Sequence, residues 1–267
     1  MTGDPRWDVL RALTMARIGL RRTGASVATT DHLAFQAAHA LARDAVHGSL
    51  DLDALARDLQ AVGLAPLRLE CACPDQATHL LRPDLGRVLA PASAAALDTV
   101  AGECDAVFLL AGGLSAQAVA RHAAPLLAHL LPGLAGWRIG PACLVERGRV
   151  ALGDEVASPL GAELVVVLIG ERPGLSSPDS LGAYLTWNPH AGRTDAERNC
   201  LSNIRPDGLR YDEAARRLLW LMRQARSRRL SGIGLKDESD RPALTGEVAA
   251  APALADPATG SGKGVPT

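Results

Sequence analysis

The stretch Leu164-Val165-Val166-Val167-Leu168-Ile169-Gly170-Glu171-Arg172-Pro173-Gly174 decides the architecture. From Leu164 to Ile169 every residue is apolar, without the polar alternation of a half-exposed strand, so this segment reads as a strand buried on both faces. Gly170 ends the run, and two charges follow at once. Shorter runs of the same kind lie upstream, at Leu67 to Cys71, Ala106 to Ala111 and Ala142 to Val145. Helical periodicity fills the spaces between them, best over Leu114 to Leu131 and more briefly near Asp154. Strands alternating with helices predict an α/β fold with a doubly wound parallel sheet.

Working outward, the first 64 residues read as helical. The clearest helix runs from Thr30 to His47, with Leu33, Ala37, Ala40 and Leu41 at helical spacing behind a Thr cap, and a second spans Leu52 to Val62. On the other side, Tyr211 to Arg228 places Ala214, Leu218, Met222 and Ala225 on one face. Arg223, Arg226 and Arg228 near its C-terminus complement the helix dipole. Beyond Asp237 the chain is Ala, Pro, Gly, Thr and Asp without apolar period, too poor in core-forming residues to offset chain entropy. The expected organisation is a helical N-terminal extension over 1–64, a sheet domain over 65–237 and a disordered tail over 238–267.

Composition narrows the function. A chain of 267 residues with 48% hydrophobic and 21% charged residues folds around a proper core. A net charge of −1 offers no basic stripe for nucleic acid or an anionic membrane. No charged segment followed by an apolar one opens the chain, and its longest apolar run is far short of the ~20 residues that span a bilayer. Neither an export signal nor a membrane anchor is expected. The five cysteines, at 71, 73, 104, 143 and 200, are odd in number and lack paired metal spacing, and four of them stand in or beside the strand-like runs. Reduced thiols in a cytoplasmic protein fit best.

In an open parallel sheet, ligands bind beyond the carboxyl ends of the strands. Three loops qualify: Gly112-Gly113-Leu114-Ser115-Ala116, Gly148-Arg149-Val150, and Gly170-Glu171-Arg172-Pro173-Gly174. The Gly pair opening a helix suits a phosphate or another acceptor, or simply makes a tight turn. Glu171 sits where charge is awkward unless it faces a ligand or pairs with Arg172. Ser176 to Ser180 and Arg198 to Asn203 are polar segments that line a site or form turns. Other matches are weaker. Gly113-Leu114-Ser115-Ala116-Gln117 ends in Gln where a hydrolase nucleophile elbow has Gly, with His190 and Asp179 as its conceivable partners. Gly260 to Gly264 lacks the Ser or Thr of a phosphate loop. His32, His39 and His47 recur at seven and eight residues without carboxylates, so no metal site is expected. No Gly-x-Gly-x-x-Gly follows a strand, which argues against a self-contained oxidoreductase.

Taken in order, Ala16-Arg17-Ile18-Gly19-Leu20, Leu33-Ala34-Phe35-Gln36, Ala42 to His47, Arg82-Pro83-Asp84-Leu85-Gly86-Arg87, Gly113-Leu114-Ser115-Ala116, Gly148-Arg149-Val150 and Gly153-Asp154-Glu155 form a distinctive series. It continues through Leu168 to Leu175, Asp179-Ser180-Leu181, Asn199 to Ile204 and Ser231-Gly232. The series closely resembles the small (light) subunit family of ethanolamine ammonia-lyase over about residues 10 to 237, most specifically from Val165 to Ile204.

That resemblance implies a Rossmann-like domain with a helical N-terminal extension. It implies adenosylcobalamin held between this chain and a large catalytic subunit in a hexamer of heterodimers, and conversion of ethanolamine to acetaldehyde and ammonia. It assigns cobalamin contacts to Val150, Glu171 and Cys200, the last as a small polarisable side chain packed on the cofactor, and no catalytic residue to this chain. The Asp-x-His-x-x-Gly element that displaces the lower base in some cobalamin proteins is absent, so the cofactor is expected base-on. Packaging in a bacterial microcompartment is left open. Two departures stand out: the family has Asp-Gly-Leu-Ser-Ala where this chain has Gly112-Gly113-Leu114-Ser115-Ala116, and Ala157-Ser158-Pro159 interrupts a helix that runs on in the family. The competing reading is a self-contained Rossmann-type oxidoreductase or α/β hydrolase.

Overall fold

The structure is a computed structural model and describes residues 5–100 and 102–240. The chain opens with α1 (Pro5–Arg11), a small hairpin of β1 (Arg22–Thr23) and β2 (Ser26–Val27), α2 (Thr29–His47) and α3 (Leu52–Ala61). The N-terminal region is therefore not helical throughout. Gly19 and Gly24, at φ of 58° and 63°, break the chain into turns around the hairpin. The Thr cap expected for α2 is not made either; Ala28 is its N-cap, and the Asp31 carboxylate of its first turn accepts from the Arg21 N–H at 2.9 Å. α3 starts at a true cap, Asp51, whose carboxylate accepts from the N–H groups of Asp53 and Ala54.

After these come β3 (Pro66–Leu69), α4 (Gln76–Leu81), α5 (Pro91–Thr99), β4 (Cys104–Ala111), α6 (Ala116–Leu130), β5 (Ile139–Val145), α7 (Leu152–Ala157) and β6 (Ala162–Gly170). The chain then adds β7 (Leu181–Trp187), β8 (Arg198–Ile204) and α8 (Tyr211–Arg228). The six-stranded sheet has the order β3-β5-β4-β6-β7-β8. Its first four strands are parallel, as expected, but β7 pairs antiparallel with β6, and β8 antiparallel with β7. The architecture is thus α/β with a mixed sheet, a correction to the all-parallel expectation. The reason lies in the connection. A parallel crossover needs a dozen or more residues and usually a helix; the segment from Glu171 to Ser180 holds Pro173, Gly174 and Pro178 and folds on itself through the Gly174–Ser177 backbone pair.

Helices cover both faces of the sheet. On one, α3, α6 and α8 enclose Phe108, Leu110, Leu144, Val166 and Leu168. On the other, α5 and α7 cover Leu109, Cys143, Val165 and Val167. The apolar face read for α8 is buried as expected, since Ala214, Leu218, Met222 and Ala225 are all at most 1% exposed. The face read for α2 is not. Leu33 and Leu41 are 55% and 59% exposed, and only Ala45 of that helix is buried.

Of the C-terminal segment read as disordered, residues 241–267 lie outside the described residues. The three before them dock on α8. Arg216 donates to the Ser239 carbonyl at 2.7 Å and pairs with Asp240, as does Arg217 at 3.1 Å. These pairs are exposed and contribute little. A chain ending at Asp237 is therefore expected to melt within about 2 °C of the full-length chain; a larger loss in a thermal melt would show that the segment beyond it carries packing of its own.

Candidate functional site

The carboxyl ends of β4, β5 and β6 meet at one edge of the sheet, and their loops interlock. The Gly112 N–H donates to the Val145 carbonyl at 3.1 Å and the Leu114 N–H to the Gly170 carbonyl at 3.0 Å. Gly113 turns the chain at φ 60°, and a Cβ on Gly170 would overlap the carbonyls of Ser115 and Gly112. Gly112 itself abuts the Glu146 carbonyl. A side chain at 112 would enter here only if the loop after β5 moved.

Between these loops lies a cleft of about 420 Å³, lined among others by Gly113, Arg149, Val150, Glu171, Arg172 and Tyr184. Two of the three residues singled out from the sequence, Val150 and Glu171, thus face the same space. A second cavity of about 440 Å³ adjoins it, sharing Arg149 and Val150 and reaching Arg87 and Asp195.

Glu171 does not pair with Arg172. One carboxylate oxygen, Oε2, accepts from the Ser180 hydroxyl and from the Asn203 N–H at 3.2 Å. The other, Oε1, lies over Gly182, where a Cβ would come within 2.9 Å of it. The Asn203 donor is aimed by a bulge: between the pairs Leu181↔Ile204 and Ala183↔Leu201, β8 carries one extra residue. Asn203 adopts φ 58° there, and the Arg205 Nε holds its side-chain oxygen at 3.0 Å. Bulges of this kind re-aim groups at sheet edges and beside sites.

Cys200 does not line the cleft. It stands on β8 opposite Tyr184 and is exposed, while the other four cysteines are buried and free. Its Sγ is 3.4 Å from the Ser202 hydroxyl. Tyr184 links the two places. Its ring lines the cleft, and its phenol is pushed well above the usual value by burial and then by the neighbouring Cys200 thiol. Glu171, Tyr184 and Cys200 form a strip on the sheet face that α7 leaves uncovered. The cation nearest Cys200 in sequence, Arg198, is buried and held by Asp154 at 2.6 and 2.9 Å, by Thr186 at 2.8 Å and by the Arg193 carbonyl at 3.1 Å. It is committed to structure and does not activate the thiol.

Sequence reasoning missed Tyr184 and Gly182 as parts of the site, and named Arg149 only within its candidate loop. An aromatic residue next but one to a glycine in Leu181-Gly182-Ala183-Tyr184-Leu185-Thr186-Trp187 was the available signal, since such a pair marks a strand with a space beside a large ring.

The hydrolase reading fails on geometry. Ser115 is fully buried and its hydroxyl donates to the Pro178 carbonyl at 2.9 Å. Asp179 accepts from Arg121 at 3.0 Å and lies 3.5 Å from His122 and 3.6 Å from Arg205. His190 is exposed beside the Ala191 carbonyl. Serine, histidine and carboxylate therefore form no relay. Among the described residues no group of three or more His, Cys, Asp or Glu is placed to hold a metal ion. None of the described helices is long and apolar enough to cross a membrane.

The chain is thus an α/β fold with an interlocked loop edge and an open, carboxylate-bearing cleft. The family model described as ethanolamine ammonia-lyase light chain (EutC) matches residues 4–236, and the chain belongs to that family. It is 55% identical over 246 residues to the ethanolamine ammonia-lyase small subunit of Azotobacter vinelandii, a match covering 90% of this chain and 91% of the relative. It is 54% identical over 250 residues to the same subunit of Ralstonia nicotianae, covering 91% and 92%. The Pseudomonas aeruginosa subunit is 53% identical over 247 residues, covering 90% of each.

Proposed function

We propose that this chain is the small subunit of an adenosylcobalamin-dependent ethanolamine ammonia-lyase and supplies one wall of the cobalamin site, the large subunit supplying the other wall and the catalytic groups. The observation that carries this reading is the meeting of Val150 and Glu171 in one cleft, continued by the half-buried Tyr184 and the exposed Cys200. The cleft fits such a ligand. Cobalamin is rimmed by amide groups, and Glu171 Oε1 has no hydrogen-bond donor among the described residues, so it is free to accept from them. Gly182 keeps the space above it clear. When bound, adenosylcobalamin supplies the cobalt–carbon bond whose homolysis begins the conversion of ethanolamine to acetaldehyde and ammonia.

This chain's residues bind and orient. Glu171 accepts from the amide or hydroxyl rim, Val150 closes the cleft opposite it, and Cys200 packs with Tyr184 against the ligand's outer edge. The bare apolar positions Leu33 and Leu41 on α2 suit a chain that works in an assembly, and we read that assembly as a hexamer of heterodimers carrying base-on cofactor. The helical extension over 1–64 and the cobalamin-binding domain over 65–237 remain the proposed division, in a cytoplasmic enzyme that is either free or packaged in a bacterial microcompartment.

Co-expression with a large subunit is expected to give ethanolamine-dependent acetaldehyde release in the presence of adenosylcobalamin, and the chain alone none. A complex that assembles and binds cobalamin yet leaves ethanolamine untouched would refute the assignment.

Cys200 offers a sharper residue test. Cys200→Ser keeps size and is expected to retain most turnover, whereas Cys200→Leu is expected to weaken cobalamin binding by overpacking, at a cost of about 1 to 3 kcal/mol. Loss of all turnover in Cys200→Ser, with cobalamin bound and the complex intact, would show that the thiol takes part in chemistry.

A further inference from the structure

Arg149 stands between the two adjoining cavities and lines both. Arg172 lines the first and Arg87 the second. Other arginines near the site are matched by acids: Arg138 by Asp105 at 3.1 Å, Arg198 by Asp154 at 2.6 Å, Arg205 by Asp179 at 3.6 Å. Arg87, Arg149 and Arg172 have no carboxylate partner among the described residues. The acids lining the same cavities make no ion pair with them: Glu171 is held through Oε2 by Ser180 and Asn203 with Oε1 over Gly182, and Asp195 lies 3.6 Å from Arg198. Arg87 and Arg172 both disfavour the charge on Arg149, so positive charge crowds around the two adjoining cavities, an arrangement that an anion relieves.

Arg149 is also built into its place. Its N–H donates to the Gly86 carbonyl at 2.8 Å and its Nη2 to the His79 carbonyl at 2.9 Å. Its stem passes over Gly86, where a Cβ would lie 2.9 Å from Cγ. Its Nε is buried without a hydrogen-bond partner. Burial, and then the charge of Arg149, push the adjacent His79 imidazole down to about 4, so the group packed behind the guanidinium is neutral near pH 7 and adds no second positive charge. A held, partly desolvated guanidinium that lines the cleft together with a second arginine suits phosphate recognition.

We propose that Arg149 and Arg172, with Arg87 at the rim, form the subsite for the phosphodiester of the cofactor's nucleotide tail. The inference rests on the cobalamin reading, because the amide-rich cobalamin carries one anionic group and that group is the phosphodiester. Glu171 and the arginines then divide the ligand, the carboxylate taking donors of the corrin rim and the guanidinium groups the phosphate.

The test pairs side-chain removal with ligand truncation. The complex with the large subunit, unaltered and carrying Arg149→Gln with Arg172→Gln, is titrated by absorbance with cyanocobalamin and with dicyanocobinamide, which lacks the nucleotide tail and its phosphate. The double variant is expected to bind cyanocobalamin at least about tenfold more weakly and dicyanocobinamide within about twofold of the unaltered complex. Equal weakening toward both ligands, or none toward either, would overturn the phosphate assignment while leaving the cobalamin reading in place. If the unaltered complex bound neither ligand, that reading would fall and this inference with it. Should Arg149→Gln prevent assembly, Arg172→Gln with Arg87→Gln, both exposed, carries the same comparison, with a loss of at least about threefold expected for cyanocobalamin alone.

Discussion

Asp154→Ala is expected to produce the largest loss of stability of any single change near the site. Asp154 and Arg198 are buried to 3% and 2% side-chain exposure and join α7 to the β8 edge through two hydrogen bonds. Removing the carboxylate strands a buried guanidinium, at a cost of about 3 to 5 kcal/mol. At about 2 to 4 °C per kcal/mol for a domain of this size, the melting temperature should fall by roughly 6 to 20 °C. Replacing both partners, as in Asp154→Leu with Arg198→Met, should cost less, because no charge is left unpaired. A single variant that melted within about 2 °C of the parent would mean that water reaches Arg198 in solution.

Glu171→Ala is expected to have the largest effect of any single change on cofactor affinity. Its carboxylate is fixed by Ser180 and by the bulged Asn203, so no rotamer freedom has to be surrendered when the ligand arrives. Losing a charge-assisted contact costs roughly 1.5 to 3 kcal/mol, a tenfold or greater rise in the cobalamin dissociation constant of the complex. Saturated turnover should change less, because the contact orients cofactor and touches no reacting atom. Equal affinity of parent and variant would place Glu171 in the scaffold, as a brace between β6 and β8.

The parts of the fold legible in the sequence were those that local pattern alone determines. The run from Leu164 to Ile169 is the central strand, and Tyr211 to Arg228 is a helix with the boundaries its periodicity implied. What stayed hidden depended on partners distant in sequence. Leu181 to Trp187 mixes Gly182 and Ala183 with large residues and shows no clean alternation, and Asn199-Cys200-Leu201-Ser202-Asn203 resembles a turn because its edge strand is half solvent-facing. Their antiparallel return comes from the Pro- and Gly-bearing link after β6. The site was legible in part for the same reason. Glu171 announced itself as a charge at the end of an apolar strand, whereas Tyr184 joins the cleft only through cross-strand pairing with Val167 and Cys200. Arg198 looked like a cation beside a thiol, and its commitment to Asp154, 44 residues away, could not be read locally.

The central claim is that the loop edge bearing Val150 and Glu171 is one wall of a shared cobalamin site. The most direct test is an absorbance titration of cobalamin into the isolated chain and into its complex with the large subunit. The account predicts saturable binding by the complex, one cobalamin per small chain, and affinity at least about tenfold weaker, a difference of about 1.4 kcal/mol or more, for the chain alone. Equal affinity in the two titrations, or binding by the large subunit alone as tight as by the complex, would contradict it.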